Sequence, residues 1–234
     1  MQNPGIVCKG VSKNYGDIAA LKGIDLSIDA GDFLSLFGPN GAGKTTLMKI
    51  LCGLTRPTNG SASVAGADVG DPEVRQKVGV ISHKSFIYDN LTAKENIVFY
   101  AELYGVEDPR GKADALLEMV ELSERGDDLA HTFSRGMMQR LSIARALVAD
   151  PDFVFLDEPF TGLDQHSTEL FKGLLKDLHG KRKTMIMISH NIDIGIEIGT
   201  RAVILRKGEK VFDNATDGIG ADEFKKIYSE KVGG

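Results

Sequence analysis

Cysteine is almost absent: a chain of 234 residues holds only Cys8 and Cys52. Two thiols make no disulfide framework, so both are expected reduced, buried as small apolar residues, in a cytoplasmic setting. Long apolar runs are missing too. No stretch reaches the roughly 18 residues that a membrane-crossing helix needs. The opening "MQNPGIVCKG" lacks the charged-then-apolar order of a secretory leader. Positive charge is not in excess: 28 Lys and Arg against 33 Asp and Glu leave a formal charge of −5. That balance argues against a nucleic-acid groove. No internal repeat or low-complexity segment stands out. If the chain serves a membrane, it does so through a partner.

What is present suits a globular protein, with 42% hydrophobic and 26% charged residues. The length fits one large domain, or a domain with a helical insert. Short β-rich pieces come first: "GIVCKGV", "GIDLSI", "DFLSLF" and "GSASVAG", parted by Gly, Asp and Asn turns. In "KTTLMKILCGL", Leu47, Ile50, Leu51 and Leu54 recur at helical spacing. The middle is helical, through "TAKENIVFYAELYGV" and "RGKADALLEMVELSE", with Thr92 and Glu95 spaced as a capping box. A further helix, "SRGMMQRLSIARALVAD", is expected to run to Pro151 with Ser134 as its cap. Then "FVFLD", "STELFKGLLKDLHG", "TMIMIS" and "AVILRKG" alternate strand and helix. Alternation of that kind predicts an α/β core with parallel strands and crossover helices. The tail "ADEFKKIYSEKVGG" reads as a last helix that frays. The expected division is a core with a β subdomain in residues 1–82 and 150–215, a helical subdomain in 83–149, and a C-terminal helix in 216–234.

"GPNGAGKT", Gly38 to Thr45, fits the phosphate-loop pattern G-x-x-x-x-G-K-[ST] in full, between a strand and a helix. Its glycines let successive N–H groups turn inward around phosphate oxygens at the positive end of a helix. Lys44 can bridge β- and γ-phosphates, and Thr45 can offer a hydroxyl to Mg²⁺. The loop Gly38, Pro39, Asn40, Gly41, Ala42, Gly43, Lys44, Thr45 and Thr46 is the expected ATP cradle. "FVFLDEPFTGLD" is an apolar strand ending in Asp157 and Glu158. Asp157 can hold Mg²⁺ and Glu158 can polarise an attacking water. "TMIMISHN" repeats the design, ending in Ser189 and His190, which places His190 as a γ-phosphate contact and catalytic residue beside Glu158 and Lys44.

Together these residues resemble the ATP-binding-cassette ATPases over residues 5–210. "FSRGMMQRLSIARAL" is similar to the family's signature, usually Leu-Ser-Gly-Gly-Gln. Here it reads Phe133, Ser134, Arg135, Gly136 and Met137, keeping the Ser and second Gly and departing at three of five places. The resemblance implies a phosphate-loop NTPase core with a mainly parallel sheet, an N-terminal antiparallel β subdomain and an inserted α-helical subdomain. It implies that Tyr15, in "KNYGDIAAL", stacks on adenine, and that Asp164, in "TGLD", faces a partner subunit. Ser134 and Gly136 begin a helix and so form a second anion site. In the family they close on the nucleotide of another protomer, so two ATPs are sandwiched in a homodimer or paired ATPase.

Two kinds of work fit such a motor. One is energising a membrane transporter whose permease is a separate chain, with the ATPase cytoplasmic and peripheral on the inner face of the membrane. The other is remodelling ribosomes or DNA. DNA-repair relatives carry a long coiled coil between phosphate loop and signature, and ribosome-associated ones usually carry two cassettes. The interval here is compact and there is one cassette, which favours transport and no nucleic-acid partner. The motifs resemble those of the haem-exporter ATPases of cytochrome c maturation, with exporters of drugs, sodium or polysaccharides as alternatives.

One position departs from the family. Where the strand beginning "VGV" normally ends in glutamine, this chain has His83, followed by "KSFIYDN", expected to start the permease contact. A neutral imidazole can replace the amide toward Mg²⁺ and the attacking water. An imidazolium would repel the cation. ATPase activity should therefore fall in mild acid, and His83→Gln should remain active and lose much of that fall. Identical pH–rate profiles at saturating ATP and Mg²⁺ would exclude this role. His190 is common to both proteins, so the difference between profiles is the readout.

Overall fold

The computed structural model describes residues 4–82 and 86–233. Two sheets form the frame. The first is antiparallel, in the order β2-β1-β4-β5, from β1 (Pro4–Tyr15), β2 (Ile18–Asp29), β4 (Asn59–Val64) and β5 (Ala67–Asp68). The second has the order β10-β9-β3-β8-β7-β6. Its strands are β3 (Phe33–Phe37), β6 (Val78–Ile81), β7 (Phe153–Asp157), β8 (Thr184–Ile188), β9 (Arg201–Arg206) and β10 (Glu209–Ala215). All its pairings are parallel except β9 with β10, the edge strand.

The central strands β3 and β8 are buried along their whole length. That is why they read as unbroken apolar runs: both faces of a parallel sheet are covered. Alternate residues still part to opposite faces. Leu34, Leu36, Phe155, Ile186 and Leu205 pack with the antiparallel sheet and α1 (Lys44–Leu51). Phe33, Val154, Leu156, Met185 and Met187 pack on the other face against helices. These include α3 (Ala93–Leu103), α4 (Pro109–Met119), α5 (Arg135–Ala146) and α6 (Gln165–Gly180). A short α2 (Pro72–Gln76) precedes β6, and α7 (Ile192–Ile198) and α8 (Ala221–Val232) finish the set.

Local signals explain most helix ends. The capping box opens α3, with Glu95 N donating to Thr92 Oγ1 at 3.0 Å and Thr92 N to Glu95 Oε2 at 2.8 Å. Ser134 caps α5, as expected. Three of the ends that differ from expectation have a visible backbone cause. Helix α1 stops at Leu51, because Gly53 takes φ +68 and its Cα lies against the Val69 carbonyl, and Leu54 is left exposed. Helix α4 stops at Met119 because Glu121 turns left-handed at φ +55. Helix α5 ends at Ala146, ahead of a left-handed Asp150 that leads into Pro151.

Both cysteines are free and buried, and burial pushes the Cys8 thiol up to about 12 and the Cys52 thiol up as well. The last helix, expected to fray, is docked through its first turns. Phe224 of α8 is fully buried, 4.9 Å from the Phe37 ring and 5.7 Å from Phe212, and Lys225 pairs with Asp193 at 2.6 Å. Removing a buried phenylalanine costs about 3–5 kcal/mol. Phe224→Ala should lower stability by that order in a thermal or urea melt. A loss well under about 1 kcal/mol would mean that α8 is not docked.

Candidate functional site

The loop between β3 and α1 is shaped by backbone contacts. Gly38 has φ +148, and a Cβ there would stand 2.3 Å from the Leu205 carbonyl oxygen of β9. Gly43 has φ +103, and a Cβ there would stand 2.6 Å from the Ala20 oxygen of β2. On the third side, Gly208 N donates to the Ala42 carbonyl at 3.1 Å. The loop is thus wedged between both sheets. Helix α1 has no capping side chain and no acid in its first turn, so its first N–H groups are open to an anion. Lys44 is buried and donates to the carbonyls of Gly38 at 2.6 Å and Pro39 at 3.1 Å. Burial lowers its ammonium from the ordinary lysine value, while Glu158 and Asp157 pull the other way.

Opposite stands the end of β7. Glu158 N donates to the Ile188 carbonyl at 3.0 Å, yet Glu158 itself is left-handed at φ +52. For a residue with a Cβ that conformation costs about 1–2 kcal/mol, and such strain gathers at functional sites. His190, at the end of β8, donates its backbone N–H to Glu158 Oε2 at 3.2 Å. Its Nε2 is 3.3 Å from Glu158 Oε1, within ion-pairing reach but outside hydrogen-bond geometry. Oε1 is therefore buried with no hydrogen-bond partner among the described residues. Ser189 is buried and accepts from Asn191 N at 3.0 Å, which turns the chain into α7.

An open cleft of about 570 Å³ brings these groups together: Tyr15, the loop from Asn40 to Thr46, Asp157, Glu158 and His190 all line it. Gly38 and Pro39 meet it through Lys44. The threonine hydroxyls and the Asp157 carboxylate are hard oxygen donors, a set that suits Mg²⁺ with water and phosphate as its other ligands. Ile18, Ala19 and Ala20 of β2 also line the cleft and carry no motif to announce them.

Ser134, Gly136 and Asp164 are not in the cleft lining; they gather where α5 and α6 begin. Ser134 Oγ accepts from Met137 N at 3.3 Å. A Cβ on Gly136 would stand 2.5 Å from Ser167 Oγ, and Asp164 caps α6 by accepting from Ser167 N at 2.7 Å. That bond holds the Asp164 carboxyl below the ordinary aspartate value. His83 lies outside the described residues.

A second cavity of about 300 Å³ opens behind the acids, between Ser82, Arg135, Asp157, Glu158 and Thr161. Arg135 was visible in the sequence only as a departure from the signature. Here its guanidinium lies over Gly162, where a Cβ would be 2.3 Å from Cζ.

A phosphate cradle facing a strained carboxylate at the ends of parallel strands defines a nucleotide-hydrolysing phosphate-loop ATPase. Comparison with known proteins narrows the class. The family model described as ABC transporter matches residues 21–161. The chain is 35% identical over 211 residues to the Nod factor export ATP-binding protein I of Burkholderia orbicola, covering 88% of this chain and 69% of that protein. It is 32% identical over 209 residues to the sulfate/thiosulfate import ATP-binding protein CysA of Synechococcus elongatus, covering 88% and 61%. A solved ATP-binding cassette, dimeric in a post-hydrolysis state with ADP and Pi, superposes with TM-score 0.82 at 30% identity, covering 92% of this chain and 100% of that one. The chain belongs to the ABC transporter family, as an ATP-binding ATPase subunit with that family's mixed α/β fold.

The three loop glycines separate steric from conformational cost. Gly38→Ala should abolish ATP binding in calorimetry, because the Leu205 carbonyl cannot move without breaking β9. Gly41, at φ +77 with nothing within 4 Å of a Cβ, should lose only about 1–2 kcal/mol when changed to Ala. Equal effects would refute the close-approach account.

Proposed function

We propose that this chain binds ATP and Mg²⁺ in the large cleft and pairs with a second ATPase subunit to drive export through a separate permease. The observation that carries the proposal is the convergence of Lys44, Asp157, Glu158, His190 and Tyr15 on one cleft while Ser134, Gly136 and Asp164 stand off it. Each cleft then needs a second protomer to close it. In this reading the loop N–H groups and Lys44 hold the phosphates, Tyr15 stacks on adenine, and Thr45 and Asp157 hold Mg²⁺. The cation, when bound, neutralises charge on the phosphates. Glu158 takes a proton from water through its unpartnered Oε1, and His190, fixed by its backbone bond to Glu158, meets the γ-phosphate. Ser134 and Gly136 present the α5 N-terminus to the partner's nucleotide.

Export is favoured by likeness to a Nod factor exporter at 35% identity, although an importer ATPase is similar too. Haem is the cargo proposed first, on the likeness of "SRGMMQR" and "LDEPFTGLD" to haem-exporter ATPases. Among the described residues no helix is long and apolar enough to cross a membrane. Membrane attachment at the inner face is therefore assigned to the permease. We also keep the division at residues 82 and 149, which leaves α3, α4 and α5 as one packed unit.

Glu158→Gln should keep ATP affinity, lose about 10²–10⁴-fold in turnover, and accumulate an ATP-bound dimer visible by light scattering. Hydrolysis at the parent rate would remove Glu158 from the role. Lys44→Ala should fail at binding instead. Activity strictly proportional to protein over a wide dilution series, with a monomer in every nucleotide state, would overturn the pairing. For direction and cargo, inside-out vesicles bearing the chain with its membrane subunit should take up haem on ATP. Failure with haem alone would move the cargo and leave the ATPase standing.

A further inference from the structure

We infer that Arg145 is a positioning residue of the ATPase, joining the carboxyl end of β6, beside the acid pair, to the exposed aromatic face of α3. The inference rests on the cleft being the ATP site, as proposed above.

Helix α5 touches both ends of this link. It starts at Arg135, in the cavity behind Asp157 and Glu158, and ends against β6. There Gly79 lies flush on the helix: a Cβ would stand 2.5 Å from the Ala146 carbonyl oxygen. One residue on, Arg145 Nη2 donates to the Val80 carbonyl at 2.7 Å. Two residues further, Ser82 lines the acid-pair cavity. Strand end and helix end are therefore closely packed at Gly79 and tied by the Arg145 side chain to the Val80 carbonyl.

The other side of the guanidinium faces rings. Its Cζ is 5.5 Å from the Phe86 centroid and 5.8 Å from that of Tyr100. Tyr100 Oη donates to the Phe86 carbonyl at 2.6 Å, holding a left-handed Phe86 at φ +52. From Tyr100 the contacts run outward to Phe99 at 5.3 Å, and from Phe99 to the half-exposed Tyr88 at 5.1 Å. Fully buried Asn96 grips Tyr88 at both backbone atoms, accepting at 2.7 Å and donating at 3.0 Å.

The cost of Arg145 points to a role beyond packing. Its Nε is buried with no hydrogen-bond partner, and it makes no ion pair among the described residues. Burial lowers its guanidinium from the ordinary arginine value. A partly buried cation with no counter-charge among the described residues is destabilising, and ring faces offset only part of that. An unbranched apolar side chain would fill the space at less cost. What it could not do is hold the Val80 carbonyl and two ring faces with one rigid plane. Any shift of β6 on nucleotide binding must then move the Phe86 ring.

The chain holds no tryptophan, so Phe86→Trp supplies a single tryptophan on the guanidinium, excited apart from the tyrosines at the red edge of the absorption band. In that background, Mg–ATP should shift the emission, and adding Arg145→Met should shrink the ATP-induced shift by at least about fivefold. ATP affinity by calorimetry should stay within about twofold, and the melting temperature should not fall. Arg145→Lys, which keeps charge without the plane, should restore less than half of the shift. An undiminished shift in Arg145→Met, no shift in the parent that binds ATP, or a parallel loss of affinity would each overturn the inference. If Phe86→Trp with intact Arg145 binds no ATP, the assignment of the cleft falls instead.

Discussion

The phosphate loop is held by backbone contacts that leave no room for side chains, and the rest of the site is arranged around that fit. Gly38 lies against the carbonyl of Leu205 and Gly43 against that of Ala20. One contact comes from the parallel sheet and the other from the antiparallel sheet. The cradle is therefore a seam between the two sheets, and the cleft inherits its lining from both. Tyr15 and Ile18 come from the antiparallel side, while Asp157, Glu158 and His190 come from the ends of β7 and β8. Only a loop of such small cross-section lets the positive end of α1 face the carboxylates directly.

The carboxylate side is fixed by a different means. Glu158 sits on left-handed backbone and is held by Ile188 and His190, both on the β8 side. Its neighbour Asp157 stays in register with Ile188. Strand pairing thus sets where the first carboxyl points, and a local kink sets the second. Two adjacent acids gain distinct backbone settings, one on a paired strand and one on a left-handed kink. Separating the surroundings of paired carboxyls is how one site can ask metal binding of the first and proton transfer of the second.

Much of this was legible in the sequence because its determinants are local. The span from Gly38 to Thr45, the apolar strands ending in acids or histidine, and the Thr92 box each lie within a dozen residues. The α/β core followed from strand–helix alternation. What was not legible depends on partners far along the chain. Arg135 declares itself only against Gly162, and Arg145 only against Val80, 65 residues away. Helix α8 was expected to fray, because the partners of its one fully buried residue, Phe224, are Phe37 and Phe212 from other elements. Helix α7 and strand β10 gave no pattern strong enough to mark them. Leu54 carried helical spacing one turn too far, since spacing does not register the steric stop at Gly53.

The seam around Gly38 also orders events in time. Strand β3 emerges from the ribosome well before its sheet neighbours β8 and β9. Ser35, beside the loop, bonds to the Gly195 carbonyl across 160 residues of chain. At roughly 5–20 residues per second that interval is about 10–30 s. During that interval the chain carries a complete phosphate-loop motif with no wall behind it. ATP can stabilise the protein only once β9 has closed that wall, so the nascent chain must rely on the antiparallel sheet and α1 until then.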